Sequence, residues 1–315
     1  MRVFLLAETD NAQQSFLLAK AMRDHLGWDA KSMVMKETYL KYPTDWTMEN
    51  NVDEAAEFAK TADLFIFQDQ LMTSSKLKLE KYATHRNTIV SGTGSRMRAN
   101  IDAVRQDQQE GWAIVPMLCD TTLSMKLCAP PFENWIVPIE RIDELTGGIY
   151  KNEKVSVCHA PTKMGYKGTE EFEKVLQPWI ASGDIEYERI TGVSWEEAIK
   201  HKARHHIILD SLGDTHYNAG NSLEGLVLCQ RVISNIDPWC YCLHPNLPMA
   251  TTWKKDIKQI VDSEIRKTIT DWGETKVTKP WIEERAVGLW WVERHFSAKN
   301  QVRKWEQYIK WVMER

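Results

Sequence analysis

Two stretches in the second half of the chain carry residue types suited to binding a phosphate. In the first, HAPTKMGYKGT, Lys163 and Lys167 follow a predicted strand and precede Gly168 and a predicted helix. Ligands of open α/β sheets bind at the carboxyl ends of the strands, and two lysines there could neutralise a diphosphate as point charges. A solvated loop with two surface lysines explains this stretch equally well, so both interpretations stay open.

The second stretch, DSLGDTHYNAGNSLEG, begins at Asp210, where another predicted strand ends. A glycine-containing loop leads to a helix that Asn221 or Ser222 could cap, and the free N–H groups of a helix N-terminus suit a phosphate. Glu224 is expected in the first turn. There its carboxylate could complement the helix dipole, or it could accept hydrogen bonds from the vicinal hydroxyls of a ribose.

Apolar runs alternate with helical stretches in the first half of the chain. Such alternation predicts βαβ units and a parallel sheet. The first helix has Leu18, Ala21, Met22 and Leu26 on one face. The predicted strands are Arg2–Ala7, Ser32–Met35, Leu64–Gln68, Thr88–Ser91 and Ala113–Met117, with further helices at about 52–61 and 74–84.

The second half follows the same alternation and predicts a second doubly wound domain. Its strands are expected at Lys154–His159, Ile185–Ile190, His206–Leu209 and Val232–Ser234, and its helices at Glu170–Ser182, Ser194–Ala203 and from about Ser222. The best linker is Leu145-Thr146-Gly147-Gly148. We therefore expect an acceptor-side domain at 1–146, a donor domain at 149–285 and closing helices at 286–315.

The closing segment contains a helix at about 299–313 with a single apolar stripe. Its members are Val302, Trp305, Ile309 and Val312, and charged residues occupy the other faces. Since such a stripe must pack against something, we expect this helix to cross back to the first domain.

Composition limits the protein class. The chain has 315 residues, 43% hydrophobic and 27% charged, which suits two globular domains. No apolar run reaches the roughly 18 residues of a membrane span, and the N-terminus resembles a strand more than a signal peptide. Six cysteines without a framework spacing favour free thiols in a reducing cytosol. These features predict a cytoplasmic protein.

The informative stretches resemble the donor domain of family 4 glycosyltransferases, over about 157–234. The resemblance lies in HAP followed by KGT, in TGVSWEEAIKHKARHHIILD and in NAGNSLEGLVLCQRVI. It is weaker in the first half, at ADLFIFQDQ, TIVSGTGSRMR and WIVPIERID, and it returns in the tail GLWWVERHFSAKNQVRKWEQYI. It implies an α/β protein of the GT-B fold, with two Rossmann-like doubly wound domains facing across a cleft and the C-terminal helix crossing back.

The resemblance also implies an enzyme that transfers a sugar from a nucleotide-sugar donor, most simply a UDP-sugar, to a hydroxyl acceptor without a cofactor. Lys163 and Lys167 would contact the diphosphate and Glu224 the ribose, while Asn221 and Ser222 would present amides to the phosphates. Many members have a further glutamate eight positions before the ribose-binding one, near the transferred sugar. Here His216 stands at that position, so we take it as a catalytic candidate.

Family members of this kind retain the anomeric configuration and need no protein nucleophile. The chain contains no Asp-x-Asp motif, so donor binding is expected to need no metal. An inverting reaction would need a general base from the first domain. Asp69, after the strand Leu64–Gln68, is the best-placed candidate and Glu8 the second, although a helix cap or loop carboxylate explains Asp69 as well.

The acceptor is open at this stage. A small molecule, a lipid-linked sugar or a polysaccharide would suit the family, and Arg96 and Arg98 could contact an anionic acceptor or simply be solvated. A phage-type DNA glycosyltransferase is an alternative, because residues 294–315 carry six cations against two anions, although the net charge of the whole chain is −4. A GT-B-like binding protein without catalysis is another.

For two clusters outside these stretches we expect no role in catalysis or metal binding. His201, His205 and His206 stand at a helix-to-strand turn and are expected to be exposed. The CYCLH run at 240–244 has no second pair at finger-like spacing, which favours thiols over a zinc site.

Overall fold

The structure, a computed structural model, describes residues 1–71, 76–92, 99–116, 134–147, 149, 151–162, 164–212, 220–236, 246–252, 255–273 and 279–314. The chain forms two compact units. Unit 1 comprises Met1–Ile136 and Phe296–Arg315, and unit 2 comprises Val137–His295. No helix in the described ranges is long and apolar enough to cross a membrane.

Unit 1 is built on a parallel sheet in the order β3-β2-β1-β4-β5-β6. The inner strands β1, β4 and β5 are buried on both faces, as expected where helices cover a parallel sheet. The strands are β1 (Arg2–Ala7), β2 (Asp29–Val34), β3 (Trp46–Thr47), β4 (Leu64–Gln68), β5 (Thr88–Gly92) and β6 (Ala113–Pro116). The helices are α1 (Gln14–Leu26), α2 (Val52–Ala59) and α3 (Ile101–Gln109).

Unit 2 is built on a second parallel sheet, in the order β11-β10-β9-β7-β8. Its strands are β7 (Ser156–His159), β8 (Glu186–Arg189), β9 (Ile207–Leu209), β10 (Arg231–Ser234) and β11 (Ala250–Thr251). Its helices are α4 (Ile139–Thr146), α5 (Met164–Lys167), α6 (Thr169–Ala181), α7 (Trp195–Ala203), α8 (Gly220–Val227), α9 (Ile257–Gly273) and α10 (Lys279–Phe296).

The closing helix α11 (Ala298–Met313) packs on unit 1, as the sequence predicts. Its stripe of Val302, Trp305, Ile309 and Val312 is at most 1% exposed. The stripe lies against α1 and one face of the first sheet, in a cluster with Val3, Leu5, Leu17, Leu18, Met22, Leu64 and Ile66. The last segment of the chain therefore completes the core of the first unit.

Several elements differ from the sequence-based expectations. The helix expected at 74–84 is wrong, because its described part contains only a 3-10 turn, Leu79–Lys81, preceded by Lys78 at a left-handed φ of 50°. The helices α3, α4 and α9 and the short strands β3 and β11 were not predicted, and α5 occupies a segment expected to be a loop. The division between the units falls before α4, whereas the glycine pair follows it. Ile139 and Ile142 of α4 are buried and the helix contacts α7 and α8, which assigns it to unit 2.

Removing the packing of α11 should destabilise the protein. For Ile309→Ala we expect the free energy of unfolding to fall by about 2–5 kcal/mol, since a buried side chain is replaced by a cavity. Met313→Ala on the same helix is the matched control. Met313 is 44% exposed, so its substitution should cost no more than about 0.5 kcal/mol. Denaturant unfolding of the two variants checks this, and equal losses would contradict the packing of the stripe.

Candidate active site

The sheet of unit 2 has a topological switch point between β7 and β9. The chain leaves β7 for β8 on one side and then crosses to β9 on the other. In such sheets the ligand crevice lies outside the carboxyl ends of these two neighbouring strands. His159 ends β7 and Asp210 follows β9, so the two stretches that the sequence analysis selected meet at this edge.

A buried ion pair joins the two stretches. Asp210 has no exposed surface, and its Oδ1 lies 2.9 Å from the Lys167 ammonium while its Oδ2 accepts a hydrogen bond of 2.6 Å from Ser222. Burial by itself would raise the pKa of Asp210, but the Lys167 charge and these hydrogen bonds hold it below its ordinary value. One Lys167 N–H is used on Asp210, which leaves two for another anion.

Gly168 brings the two loops into contact. Its φ of 72° is left-handed, and a Cβ there would lie 2.7 Å from the Cβ of Leu212. The Leu212 N–H donates to the Lys167 carbonyl at 3.1 Å, so the backbones cannot separate without losing this bond. The glycine of the Lys-Gly-Thr run is therefore required by the structure, because only glycine fits both the space and the backbone conformation.

The neighbouring Thr169 and His159 complete this corner. His159 Nδ1 donates to the Leu209 carbonyl at 2.7 Å, and its Nε2 lies 2.9 Å from the Thr169 hydroxyl. Burial lowers the pKa of His159, which favours the neutral ring. The histidine thus cross-links β7, β9 and the start of α6.

Glu224 is held by a second buried cation. The Lys202 ammonium lies 2.5 Å from Glu224 Oε2 and 2.5 Å from Asn221 Oδ1, and the Trp195 indole N–H donates to Glu224 Oε1 at 2.8 Å. Asn221 also donates to the Ala160 carbonyl at 2.7 Å. Since α8 begins at Gly220, Glu224 lies beyond the first turn. The first-turn position expected from the sequence, and with it the role of a helix cap, is therefore wrong.

Helix α8 lies unusually close to the sheet. A Cβ at Gly225 would stand 2.5 Å from Cγ2 of Ile208 on β9 and 3.0 Å from Cγ2 of Val232 on β10. Glycine at this position allows the close approach, as glycine does where a helix packs tightly on a strand at nucleotide-binding turns. The approach keeps the N-terminus of α8 at the carboxyl end of β9.

Four of the predicted site residues converge in unit 2, namely Lys167, Asn221, Ser222 and Glu224. Lys163, His216, Arg96 and Arg98 lie outside the described residues. Asp69 is in unit 1, after β4, with a φ of 74° and only 6% exposure. Its N–H donates to the Ser91 carbonyl at 2.8 Å. The assignment of Asp69 as a base stays a prediction.

Asp10, which the sequence analysis did not select, is the most perturbed carboxyl of the described part of unit 1. Its oxygens accept hydrogen bonds from the N–H groups of Ser15 at 2.9 Å and Phe16 at 3.0 Å. Burial raises the pKa of Asp10 to about 7, although these hydrogen bonds lower it. Because the folded-state pKa is the higher one, Asp10 favours folding at low pH and loses that contribution as the pH rises through about 7.

Lys202 and Trp195 were also missed, although the sequence contains a signal for them. Helix α7 buries Trp195, Ile199 and Lys202 at spacing i, i+4, i+7, so a lysine occupies a position in the apolar stripe. A cation there needs a buried partner.

The expectation that His205 and His206 are exposed is wrong, because they are 3% and 0% exposed. His205 contacts Glu188 at 2.7 Å, and His206 contacts Ser156.

Comparison with solved structures identifies the fold. The chain is similar to a glycosyltransferase from Rickettsia africae ESF-5, with a TM-score of 0.60 and 11% identity over 99% of each chain. An alpha-glucosyltransferase in complex with UDP and a 13-mer DNA aligns with a TM-score of 0.66 at 8% identity, over 98% of this chain and 99% of that one. No family model matches the sequence, and no curated protein matches it significantly.

A third similar structure is Anabaena Alr3699/HepE in complex with UDP, with a TM-score of 0.59 and 9% identity over 98% of this chain and 100% of that one. These proteins are GT-B glycosyltransferases, and this chain shares their fold. The expected α/β class with two parallel sheets and the GT-B fold is confirmed. The narrower resemblance to family 4 is compatible with these matches and stays a prediction.

The close approach at Gly168 can be tested against a glycine of equal φ. Gly192 has a φ of 73° and no atom within 4 Å of the place where a Cβ would lie, whereas Gly168 has Leu212 at 2.7 Å. In both alanine variants, holding alanine in the left-handed backbone conformation costs about 1–2 kcal/mol. Gly168→Ala should lose a further 1–3 kcal/mol or so from overpacking. Thermal unfolding compares the two, and equal melting temperatures would argue against the loop contact.

Proposed function

We propose that this protein is a glycosyltransferase that moves a sugar from a nucleotide-sugar donor to a hydroxyl group of an acceptor. The observation that carries the proposal is the convergence of Lys167, Asn221, Ser222 and Glu224 at the switch point of unit 2, in a chain with the GT-B fold. These residues supply a cation, a helix N-terminus and a carboxylate, which are the groups that a nucleoside diphosphate requires.

In this proposal the diphosphate lies at the N-terminus of α8. Lys167 offers its two remaining N–H groups and Lys163 a second cation. The first N–H groups of α8 at Asn221 and Ser222 have no partner within the helix. Glu224 accepts hydrogen bonds from the ribose hydroxyls through the lone pairs that Lys202 and Trp195 leave available.

The donor is proposed to be a UDP-sugar. The alpha-glucosyltransferase and the Anabaena protein were both solved with UDP, and this chain shares their fold over nearly its whole length. The proposal therefore names uridine as the base to test first, with guanosine and adenosine diphosphate sugars as the alternatives.

The reaction breaks the bond between the anomeric carbon and the diphosphate oxygen and forms a bond to the acceptor oxygen. The leaving diphosphate gains negative charge, which Lys163, Lys167 and the α8 amides stabilise in place of a metal ion. For a retaining enzyme, the acceptor proton passes to an oxygen of the leaving diphosphate, and His216 is the residue proposed to act on the transferred sugar. For an inverting enzyme, Asp69 takes that proton.

A DNA acceptor is the second candidate. It is favoured by the alignment with the alpha-glucosyltransferase that was solved with DNA, and by the six cations against two anions in residues 294–315. Arg96 and Arg98 would then contact phosphates. The net charge of −4 for the whole chain favours a smaller acceptor over DNA.

We place the protein in the cytoplasm. The cysteines of the described ranges, Cys158 and Cys229, are free thiols, which suits a reducing compartment. A nucleotide-sugar donor would be met there as well.

Glu224→Gln should weaken the donor complex while keeping the side-chain shape. A hydrogen bond to a charged group is worth about 1.5–3 kcal/mol, so the Kd for UDP should rise roughly ten- to a hundredfold. Glu170→Gln, which removes an exposed charge from the first turn of α6, is the control and should leave the Kd unchanged. Calorimetric titration at a temperature where all variants are folded measures both.

The same titration includes an arm with EDTA and a panel of UDP-, GDP- and ADP-sugars. Binding of one nucleotide sugar that is unaffected by EDTA is expected. If no nucleotide sugar binds, the chain is a GT-B-like protein without donor chemistry. If EDTA abolishes binding, the lysines do not replace a metal and the proposed phosphate site is wrong.

Salt dependence separates the two acceptor classes. If DNA is the acceptor, neutralising about six phosphates should make the logarithm of the association constant fall with that of the salt concentration, with a slope near −5. Lys299→Ala combined with Arg303→Ala should make this slope shallower. Absence of duplex binding even at low salt would exclude the DNA candidate and leave the smaller hydroxyl acceptors.

A further inference from the structure

Lys202 is the most deeply buried lysine among the described residues, at 2% exposure. It lies on α7, on the stripe that Trp195 and Ile199 also occupy. A buried ammonium is tolerated only when it is paired and hydrogen-bonded. Its Nζ donates to two side chains of α8, to Glu224 Oε2 and to Asn221 Oδ1, each at 2.5 Å.

The position of these partners follows from helix geometry. Asn221 and Glu224 are three residues apart, so they share one face of α8 and can both reach the same ammonium. Ser222, two residues before Glu224, points to the other side, where it bonds Asp210. The face of α8 that carries Glu224 is therefore the face turned to α7.

The orientation of the Glu224 carboxylate is set from α7 at both oxygens. Lys202 holds Oε2 and the Trp195 indole N–H holds Oε1 at 2.8 Å. The amide of Asn221 is oriented as well, because its oxygen accepts from Lys202 and its nitrogen donates to the Ala160 carbonyl at 2.7 Å. Each carboxylate oxygen keeps one lone-pair direction, and 13% of the Glu224 side chain remains exposed.

We propose that Lys202 is a positioning residue that keeps the Glu224 carboxylate oriented, and so sets the preference of the site for a ribose over a 2′-deoxyribose. The inference rests on the proposed function. A carboxylate that is fixed at both oxygens presents two acceptors at a defined separation, which matches two vicinal hydroxyls. A ligand with only one of these hydroxyls leaves one acceptor unused.

The probes are UDP and 2′-deoxy-UDP, titrated against the full-length protein. The parent should bind UDP about tenfold more tightly or better, the difference expected for one hydrogen bond to a charged acceptor. Lys202→Met keeps most of the length of the side chain, which is unbranched in both residues, and removes its charge. It should weaken UDP binding by about tenfold or more and bring the ratio of the two Kd values close to one, while Lys202→Arg should restore part of the preference.

Lys151→Met is the matched control. The Lys151 ammonium joins the residues that follow the same two helices, donating to the carbonyl of His205, after α7, at 2.7 Å and to that of Leu228, after α8, at 3.0 Å. Loss of this lysine should change the melting temperature and leave the ratio of the two Kd values as in the parent.

The double variant Lys202→Met with Glu224→Gln separates a positioning role from a structural one. It replaces the ion pair with two neutral side chains, so it should fold even if Lys202→Met alone does not. It should bind UDP as Glu224→Gln does, since Lys202 acts through Glu224. A further loss of UDP affinity in the double variant would overturn the inference.

The remaining outcomes distinguish this inference from the proposed function. If Glu224→Gln abolishes the preference for UDP and Lys202→Met preserves it, the role of Lys202 is wrong and the ribose site stands. If the parent binds UDP and 2′-deoxy-UDP equally and Glu224→Gln changes neither, the ribose site itself is wrong.

Discussion

Unit 2 depends on the compensation of one buried charge. Asp210 has no contact with solvent, and an isolated carboxylate in that position would cost several kcal/mol or more. Its compensation comes from Lys167 and Ser222, which belong to different segments. The Asp210 carboxylate therefore ties α5, the end of β9 and the start of α8 together at the carboxyl edge of the second sheet.

The same arrangement constrains the backbone. With Lys167 bound to Asp210 and its carbonyl bound to the Leu212 N–H, the two loops approach so closely that no side chain fits at Gly168. Helix α8 is in turn pressed onto β9 and β10 through Gly225. On one side of α8, Ser222 donates a hydrogen bond to Asp210. On another side, Lys202 contacts Asn221 and Glu224. The helix N-terminus is thus held between two buried ion pairs.

The two lysines Lys167 and Lys202 are each paired with a carboxylate of the protein itself, Asp210 and Glu224 respectively. In the proposed function, a diphosphate is bound by the N–H groups that Lys167 retains, by the α8 amides and by Lys163, rather than by a large excess of positive charge. Binding through directional hydrogen bonds requires more exact placement of the donor groups than binding through a diffuse electrostatic field does.

The matches at 8–11% identity show how few residues the GT-B fold requires. A buried parallel strand needs only a short apolar run, and a covering helix needs one apolar stripe. Many sequences satisfy these conditions. The chemistry of a particular member then depends on the small set of polar residues at the carboxyl ends of the strands.

The sequence by itself determined the strands other than the short β3 and β11, most of the helices that flank them and the return of α11 to unit 1. These features depend on local periodicity and on the length of apolar runs, which are visible along the chain. It also selected Lys167, Asn221, Ser222 and Glu224, because the end of a strand and the start of a helix are local signals. The helix at 74–84 failed because a left-handed residue at Lys78 interrupts the pattern.

Only the tertiary structure decided the partners of these side chains. Lys202 and Glu224 are 22 positions apart and Lys167 and Asp210 are 43 apart, and no local pattern specifies which buried cation meets which carboxylate. The burial of His205 and His206 and the assignment of α4 to unit 2 likewise follow from packing between elements. Sequence periodicity determines which face of an element is buried, whereas the pairing of charges inside depends on where distant elements meet.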